Sequence, residues 1–300
     1  MNNSQALITV FTPTYNRERC LIKCYKSLCK QTSYSFEWLI IDDGSTDGTE
    51  ALVTDWQASQ HDFSIRYYKK ENGGLHTGYN AGIELAQTEL FVCIDSDDWM
   101  PDDAIARIEA DWRACKDDGY IGIMGLDRYE DGSCVGDPFP ENVHEMYLYE
   151  KLTKYRIAGD KKLVHRTDLL KKVAPMPSFD GEKNFNPSYM MYQLDKFGKL
   201  FVTNECFCIV EYQPNGMSSN IYKQYRNSPN SFAETRKLYL SFPNISLSFK
   251  LRQHIHYVSS CILAKKFWNG IKESPSPFLS ILCISPGCAL AGIIIWNTRK

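Results

Sequence analysis

The chain has 300 residues, 43% of them hydrophobic and 23% charged, with eleven cysteines and a net charge of -2. That composition excludes an intrinsically disordered chain, and the lack of any CxxC pair argues against a zinc or disulfide framework. Residues 236–300 hold nine Lys and Arg against one acid, Glu273, so this segment is +8 and the first 235 residues are -10; an acidic body excludes nucleic acid as the main partner, while the basic tail asks for an anionic surface.

In chain order, Ala6 to Phe11 reads as a first strand, and residues 17 to 31 carry Leu21, Ile22, Tyr25 and Leu28 at helical spacing. Trp38 to Ile41 is a short buried strand that ends in Asp42 and Asp43. Beyond the DGSTDGT loop come a helix over Thr49 to Gln57, a strand over Ser64 to Lys69, a helix over Thr77 to Ala86 and a strand over Leu90 to Ile94. Alternation of this kind predicts an α/β domain with a mostly parallel sheet. From residue 99 to about 235 the pattern is mixed, with a helix after Pro101, strands near Tyr120 to Arg128 and Cys206 to Tyr212, and a helix near Pro187 to Phe197. From 236 onward it is helical and basic, closing on Phe278 to Trp296 without a charge.

Ligands of open α/β sheets bind at the carboxyl ends of strands, so Asp42-Asp43 and Asp95-Ser96-Asp97-Asp98 are expected on one rim. Like charges at a poorly hydrated strand end call for a cation or buried donors. The second cluster suits a divalent cation with positions left for diphosphate oxygens, or else it caps the helix after Pro101. Gly44, Gly48 and Asp47 suit a turn and a helix cap as well as a binding loop.

Four motifs follow in order: Thr12-Pro13-Thr14-Tyr15-Asn16-Arg17, Ile41 to Thr49, Asn72-Gly73-Gly74 with Tyr79-Asn80-Ala81-Gly82, and Asp95-Ser96-Asp97-Asp98. Together they resemble family 2 inverting glycosyltransferases of the GT-A fold, a Rossmann-like α/β class. The resemblance implies that Thr12, Pro13, Tyr15 and Asn16 frame a nucleotide, that Asp43 meets its base, usually uracil, and that Asp42 supports Asp43. It further implies that Asn72, Gly73 and Gly74 lie along the ribose and diphosphate, with Asn80 bracing the site. Asp95 and Asp97 match the DxD motif, with Ser96 between them, and Asp97 or Asp98 is the direct ligand of Mn2+ or Mg2+. On this comparison residues 1–235 form the catalytic domain, with 1–98 holding the nucleotide-sugar donor and 99–235 facing the acceptor, and 236–300 form a separate tail. His76 stands where a diphosphate contact is possible, although a lone histidine is also an ordinary packed residue.

Inversion requires a carboxylate that takes the acceptor proton. Phe179 to Phe185 resembles the acid-bearing stretch that supplies it in the family, with Glu182 first and Asp180 second; Lys183 replaces the usual second acid. Tyr212 to Asn220 looks like the loop that covers the donor diphosphate.

As one helix, Phe278 to Trp296 would reach about 28 Å, barely a bilayer core, and Pro286-Gly287 interrupts it. Membrane-surface contact through the tail is therefore favoured over a span, with cytoplasmic, peripheral placement and a saccharide or polyprenyl-diphosphate-linked acceptor in surface polysaccharide assembly. No QxxRW motif is present, which disfavours a processive polymer synthase. Two rival readings are a nucleotide-sugar-binding protein without turnover and a sugar nucleotidyltransferase, although the latter lacks its glycine-rich loop after the first strand.

Overall fold

A computed structural model describes residues 6–211 and 221–299. In order they form β1 (Ile8–Thr14), α1 (Glu18–Leu28), β2 (Phe36–Asp42), α2 (Thr49–Ala58), β3 (Ser64–Lys69), α3 (Leu75–Leu85), β4 (Leu90–Cys93) and α4 (Ala104–Cys115). There follow β5 (Gly122–Arg128), β6 (Glu145–Met146), α5 (Leu148–Thr153), β7 (Lys161–Arg166), α6 (Thr167–Val173), α7 (Ser188–Gln193) and β8 (Leu200–Ile209). The remainder is helical: α8 (Ile221–Asn227), α9 (Pro229–Leu240), α10 (Leu247–Leu263), α11 (Phe267–Lys272), α12 (Pro277–Leu282) and α13 (Ile284–Asn297). The expected covering loop, Tyr212 to Asn220, lies outside the described residues.

The eight strands make one sheet in the order β3-β2-β1-β4-β7-β5-β8-β6. β1 pairs in parallel with β2 and β4, and β2 with β3, which aligns Thr14 with Asp42 and Phe11 with Cys93. Every residue of β2 is buried, as continuous apolar runs between two helical layers should be, whereas the edge strand β3 is largely open. α1 turns Leu21, Cys24 and Leu28 inward, and Tyr25 stacks on Trp56 of α2 with centroids 4.1 Å apart. β7 enters antiparallel between β4 and β5 and was not expected from the sequence.

The chain divides into two compact units, residues 6–73, 77–175 and 190–211 against 74–76, 176–189 and 221–299. This division differs from the expected partition into 1–235 and 236–300: α8, the start of α9 and the Phe179 to Phe185 loop belong with the basic helices. In the second unit α10 is the spine, in contact with α9, α11, α12 and α13. The Tyr257 hydroxyl donates to the Gly270 carbonyl at 2.7 Å, and a Cβ on Gly287 would lie 2.6 Å from Val258 Cγ1, so that glycine lets α13 approach α10 closely.

The uncharged stretch near the end is not one helix. It breaks at Cys283 into α12 and α13, and Pro286 falls in the first turn of α13, where a missing N–H costs nothing. No helix among the described residues is long and apolar enough to cross a membrane.

Candidate functional site

The site grows from three loops at the carboxyl ends of β1, β2 and β3. Asn16 adopts φ 52°, a conformation Asn tolerates, which aims both its N–H and its side chain at the next loop. Its N–H donates to Ser45 Oγ at 2.8 Å, and its Oδ1 accepts from Thr46 N at 2.8 Å. Asp42 is fully buried and braces that loop from below: Oδ1 accepts from Ser45 N at 2.7 Å and Oδ2 from the Tyr67 hydroxyl. Gly44, at φ +86°, passes close to the backbone of Lys70 and Asn72, where a Cβ would press on Asn72 N at 3.1 Å.

Asp43 is thereby oriented rather than loose. Its Oδ1 accepts from Lys70 Nζ at 2.6 Å and Gly73 N at 3.0 Å, and its Oδ2 from Asn72 Nδ2 at 3.1 Å. Asp47 accepts from the N–H and hydroxyl of Thr49, so it serves the start of α2 as the local reading proposed. Tyr15 is 49% exposed, and Pro13 and Asn80 are partly buried. Thr12, expected beside the nucleotide, points into the core instead, where its hydroxyl accepts from Trp38 Nε1 at 2.9 Å.

The acid loop after β4 is built differently. Asp98 N bonds Asp95 O at 3.0 Å and closes a turn, leaving Asp95 exposed and Ser96 buried. Asp98 faces inward, accepting from Glu211 N at 3.3 Å and from the Cys208 thiol at 3.9 Å. Burial pushes its carboxyl up to about 7 against the pull of Lys162, with Asp95 and Asp97 adding to the rise. Burial, then Asp95, also raises Asp97, whose nearest cation is Arg17 at 3.9 Å. Asp103, the residue before α4, makes no side-chain cap bond, and the first-turn N–H of Ile105 donates instead to Gln31 Oε1 at 3.0 Å, so the acids of this cluster do not cap the helix.

Arg17 and Asn16 are adjacent, one reaching Asp97 and the other the loop after β2. The loop after β1 thus contacts Ser45 and Thr46, just beyond Asp43, as well as Asp97, and the parallel pairing of β1 with β2 and β4 brings the two acid clusters to one rim. Behind them, Lys162 of β7 donates to the Cys93 carbonyl at 3.3 Å and lies 3.7 Å from buried Asp127. Burial works against its charge, but the surrounding acids, Asp127 foremost, hold the ammonium well above the usual lysine range. Neither Lys70 nor Lys162 was singled out from sequence; the only available signal for Lys70 was a basic residue just past a strand end.

Among the described residues no group of three or more His, Cys, Asp or Glu could hold a metal. A pair of neighbouring carboxylates with shortfall in compensating charge still fits an Mg2+-type site, in which one or two protein carboxylates share the ion with substrate phosphates. Asp97 and Asp95 have the right chemistry for that set; Asp98 is engaged with the end of β8.

In the second unit, Gly74 takes φ +95° and a Cβ there would fall 2.0 Å from the Lys183 carbonyl, so only glycine fits against the 179–185 loop. His76 is buried with its ring near Phe185, 6.3 Å between centroids. Glu182 is buried and accepts four hydrogen bonds at 2.6–2.8 Å, from the backbone N–H groups of Asn230 and Ser231, from Asn230 Nδ2 and from Ser231 Oγ. It therefore anchors the first turn of α9, a role not foreseen for it. Asp180 is exposed.

Residues 9–167 match the family Glycosyl transferase family 2. The chain is 36% identical over 153 residues to Glycosyltransferase GlyA of Streptococcus pneumoniae, a match that covers 51% of this chain but 19% of GlyA. It is 33% identical over 112 residues to the undecaprenyl-phosphate 4-deoxy-4-formamido-L-arabinose transferase of Aeromonas hydrophila, covering 34% of that protein. The putative teichuronic acid biosynthesis glycosyltransferase TuaG of Bacillus subtilis is 25% identical over 245 residues, 80% of this chain and 92% of TuaG. In three dimensions, S. aureus TarS 1-349 in complex with UDP-GlcNAc superposes with a TM-score of 0.59 at 16% identity, covering 98% of this chain and 92% of that one. A mannosyltransferase of Pyrobaculum calidifontis in complex with GDP-Man and Mn2+ gives 0.58 at 16% identity, covering 99% and 89%. These two likenesses establish the fold, a GT-A arrangement with a helical C-terminal region. With the family match spanning more than half of its length, the chain belongs to glycosyltransferase family 2.

Proposed function

We propose that the protein transfers a sugar, with inversion, from a nucleotide diphosphate sugar, UDP-linked, to a saccharide or lipid-linked saccharide in surface polysaccharide assembly. The observation that carries this reading is the loop after β1, hydrogen-bonded on one side to Ser45 and Thr46, just beyond Asp43, and paired on the other side with Asp97 at 3.9 Å. Asp43, fixed by Lys70, Asn72 and the Gly73 N–H, presents a carboxylate edge suited to the ring N–H of a pyrimidine. Exposed Tyr15 offers a ring face for the base.

A divalent cation, Mn2+ or Mg2+, held by Asp97 and Asp95, would neutralise the charge that builds on the departing diphosphate. Arg17, beside Asp97, adds a fixed positive charge at the same place. The proton-accepting role belongs to the 179–185 loop. Its two carboxylates divide the work: Glu182 holds the loop to α9, which leaves exposed Asp180 as the group able to meet an acceptor hydroxyl.

A lipid-linked acceptor is supported by the Aeromonas relative, an undecaprenyl-phosphate sugar transferase, and polysaccharide assembly by the Bacillus relative, a putative teichuronic acid biosynthesis glycosyltransferase. Eleven free cysteines suit a reducing compartment, and we infer work on the cytoplasmic face of a membrane. The test is a thermal-shift panel of UDP-, GDP- and dTDP-sugars with Mn2+, followed by donor hydrolysis with Mn2+ or chelator and anomeric assignment of the product. Donor binding without metal-dependent turnover would reduce the protein to a binding module, and a retained anomeric configuration would remove inversion.

A further inference from the structure

Independently of any sugar transfer, α11, α12 and α13 form a layer on α10 whose outer side is unusual for a water-facing surface. All three helices pack on α10, and α12 touches both α11 and α13. The inner side is accounted for: Val258, Ile271 and Cys283 make a small core, and Gly287, Ala291 and Ile294 of α13 are buried. The outer side presents Trp268, Phe278, Ile281, Leu282, Ile293 and Trp296, with the two tryptophans 72% and 74% exposed and Phe278 68%.

α13 shows the pattern most plainly. Its buried positions recur every three to four residues, as on a helix with one inward face, yet the other face, Ser285, Ala289, Gly292, Ile293 and Trp296, holds no charged residue. A helix apolar on both sides needs a second apolar phase. Basic residues rim the layer: Lys265, Lys266, Lys272 and Arg299 are exposed. The sole acid between residues 236 and 300, Glu273, pairs at 3.3 Å with Lys237, which also pairs with Glu234 at 3.5 Å.

We propose that this layer is a docking face for the surface of an anionic lipid bilayer. Apolar side chains with tryptophans enter the boundary between headgroups and acyl chains, and the rim of lysines and arginine meets anionic headgroups. A second copy of the chain would bring the same positive rim against itself, so charge favours the lipid. Since no helix among the described residues can cross a bilayer, the contact is peripheral.

The test uses the full chain and co-sedimentation with vesicles of phosphatidylcholine, with or without phosphatidylglycerol. The wild type should bind the phosphatidylglycerol vesicles, less so at high salt, and bind pure phosphatidylcholine poorly. The pair Trp268→Ser with Trp296→Ser, and separately Lys265→Gln with Lys266→Gln, should each lower partitioning by roughly tenfold. Near-UV circular dichroism and the thermal midpoint, unchanged, would show that the variants fold. A wild type that stays in the supernatant, or equal partitioning by wild type and both variants, overturns the proposal. So does a dimer in sedimentation velocity that the tryptophan variant disperses while no vesicle binding is seen. Because no donor enters the assay, its failure is separate from failure of the sugar-transfer reading.

Discussion

The two acid clusters flanking the end of β1 are built in opposite ways. Asp42 and Asp43 sit amid donors: Ser45 N, Tyr67, Lys70, Asn72 and Gly73 N each reach one of their oxygens. Asp97 and Asp98 lack such a set, and burial raises both carboxyls. A satisfied cluster is rigid and ready to recognise a neutral partner. An under-compensated one is poised to gain from a cation, because positive charge placed there removes a cost that the fold otherwise carries.

The largest expected effect is on the under-compensated side. Asp97→Asn should lower transfer on the order of 10³-fold while the chain stays folded; steady-state rates alongside a melting curve check this, and wild-type turnover would break the contrast. On the satisfied side, Asp43→Asn should weaken donor binding by about 1.5–3 kcal/mol, measured calorimetrically, with kcat less affected than KM. An equal loss of kcat with unchanged donor affinity would place Asp43 in the chemistry instead.

The second unit sharpens the same distinction between anchored and available acids. Glu182→Gln removes the charge that four donors hold at the start of α9 and should cost about 1–3 kcal/mol of stability. Asp180→Asn should leave the melting midpoint alone and lower kcat. If Glu182→Gln abolishes turnover without any loss of stability, the two assignments exchange places.

The smallest effect on turnover is expected at a residue far from the chemistry, which tests burial as the cause of the shifts. His165 on β7 is buried without a bonding partner for either ring nitrogen among the described residues, and burial pushes it down to about 3. It is neutral in the fold, whereas the unfolded chain takes up a proton below the ordinary histidine value near 6.5, so stability is full above that value and falls as pH drops. At pH 5 the loss is about 2 kcal/mol, and His165→Leu should flatten the decline of the melting midpoint between pH 7 and pH 5. An unchanged slope would mean that the ring is hydrated.

Much of this arrangement was legible in the chain. Strands that are buried apolar runs announce themselves, and acids directly after Ile41 and Ile94 mark the rim. β7 was not legible because Lys161 and Lys162 resemble surface residues, yet both are buried, one on carbonyls and the other beside Asp127. The anchoring of Glu182 was equally hidden, since its partners Asn230 and Ser231 lie 48 and 49 positions away. Likewise Thr12 sits within a motif whose resemblance is real, but only Trp38 across the sheet reveals that its hydroxyl is spent inside.

The most direct test of the central claim, that two clusters on one rim share an activated sugar and a cation, is calorimetric titration of the protein, in Mn2+ and in chelator, with whichever nucleotide sugar stabilises it most in the thermal-shift panel. The account predicts affinity at least about tenfold higher with Mn2+ in the wild type, and the same low affinity in both buffers for Asp97→Asn. Identical wild-type affinity in the two buffers would contradict it.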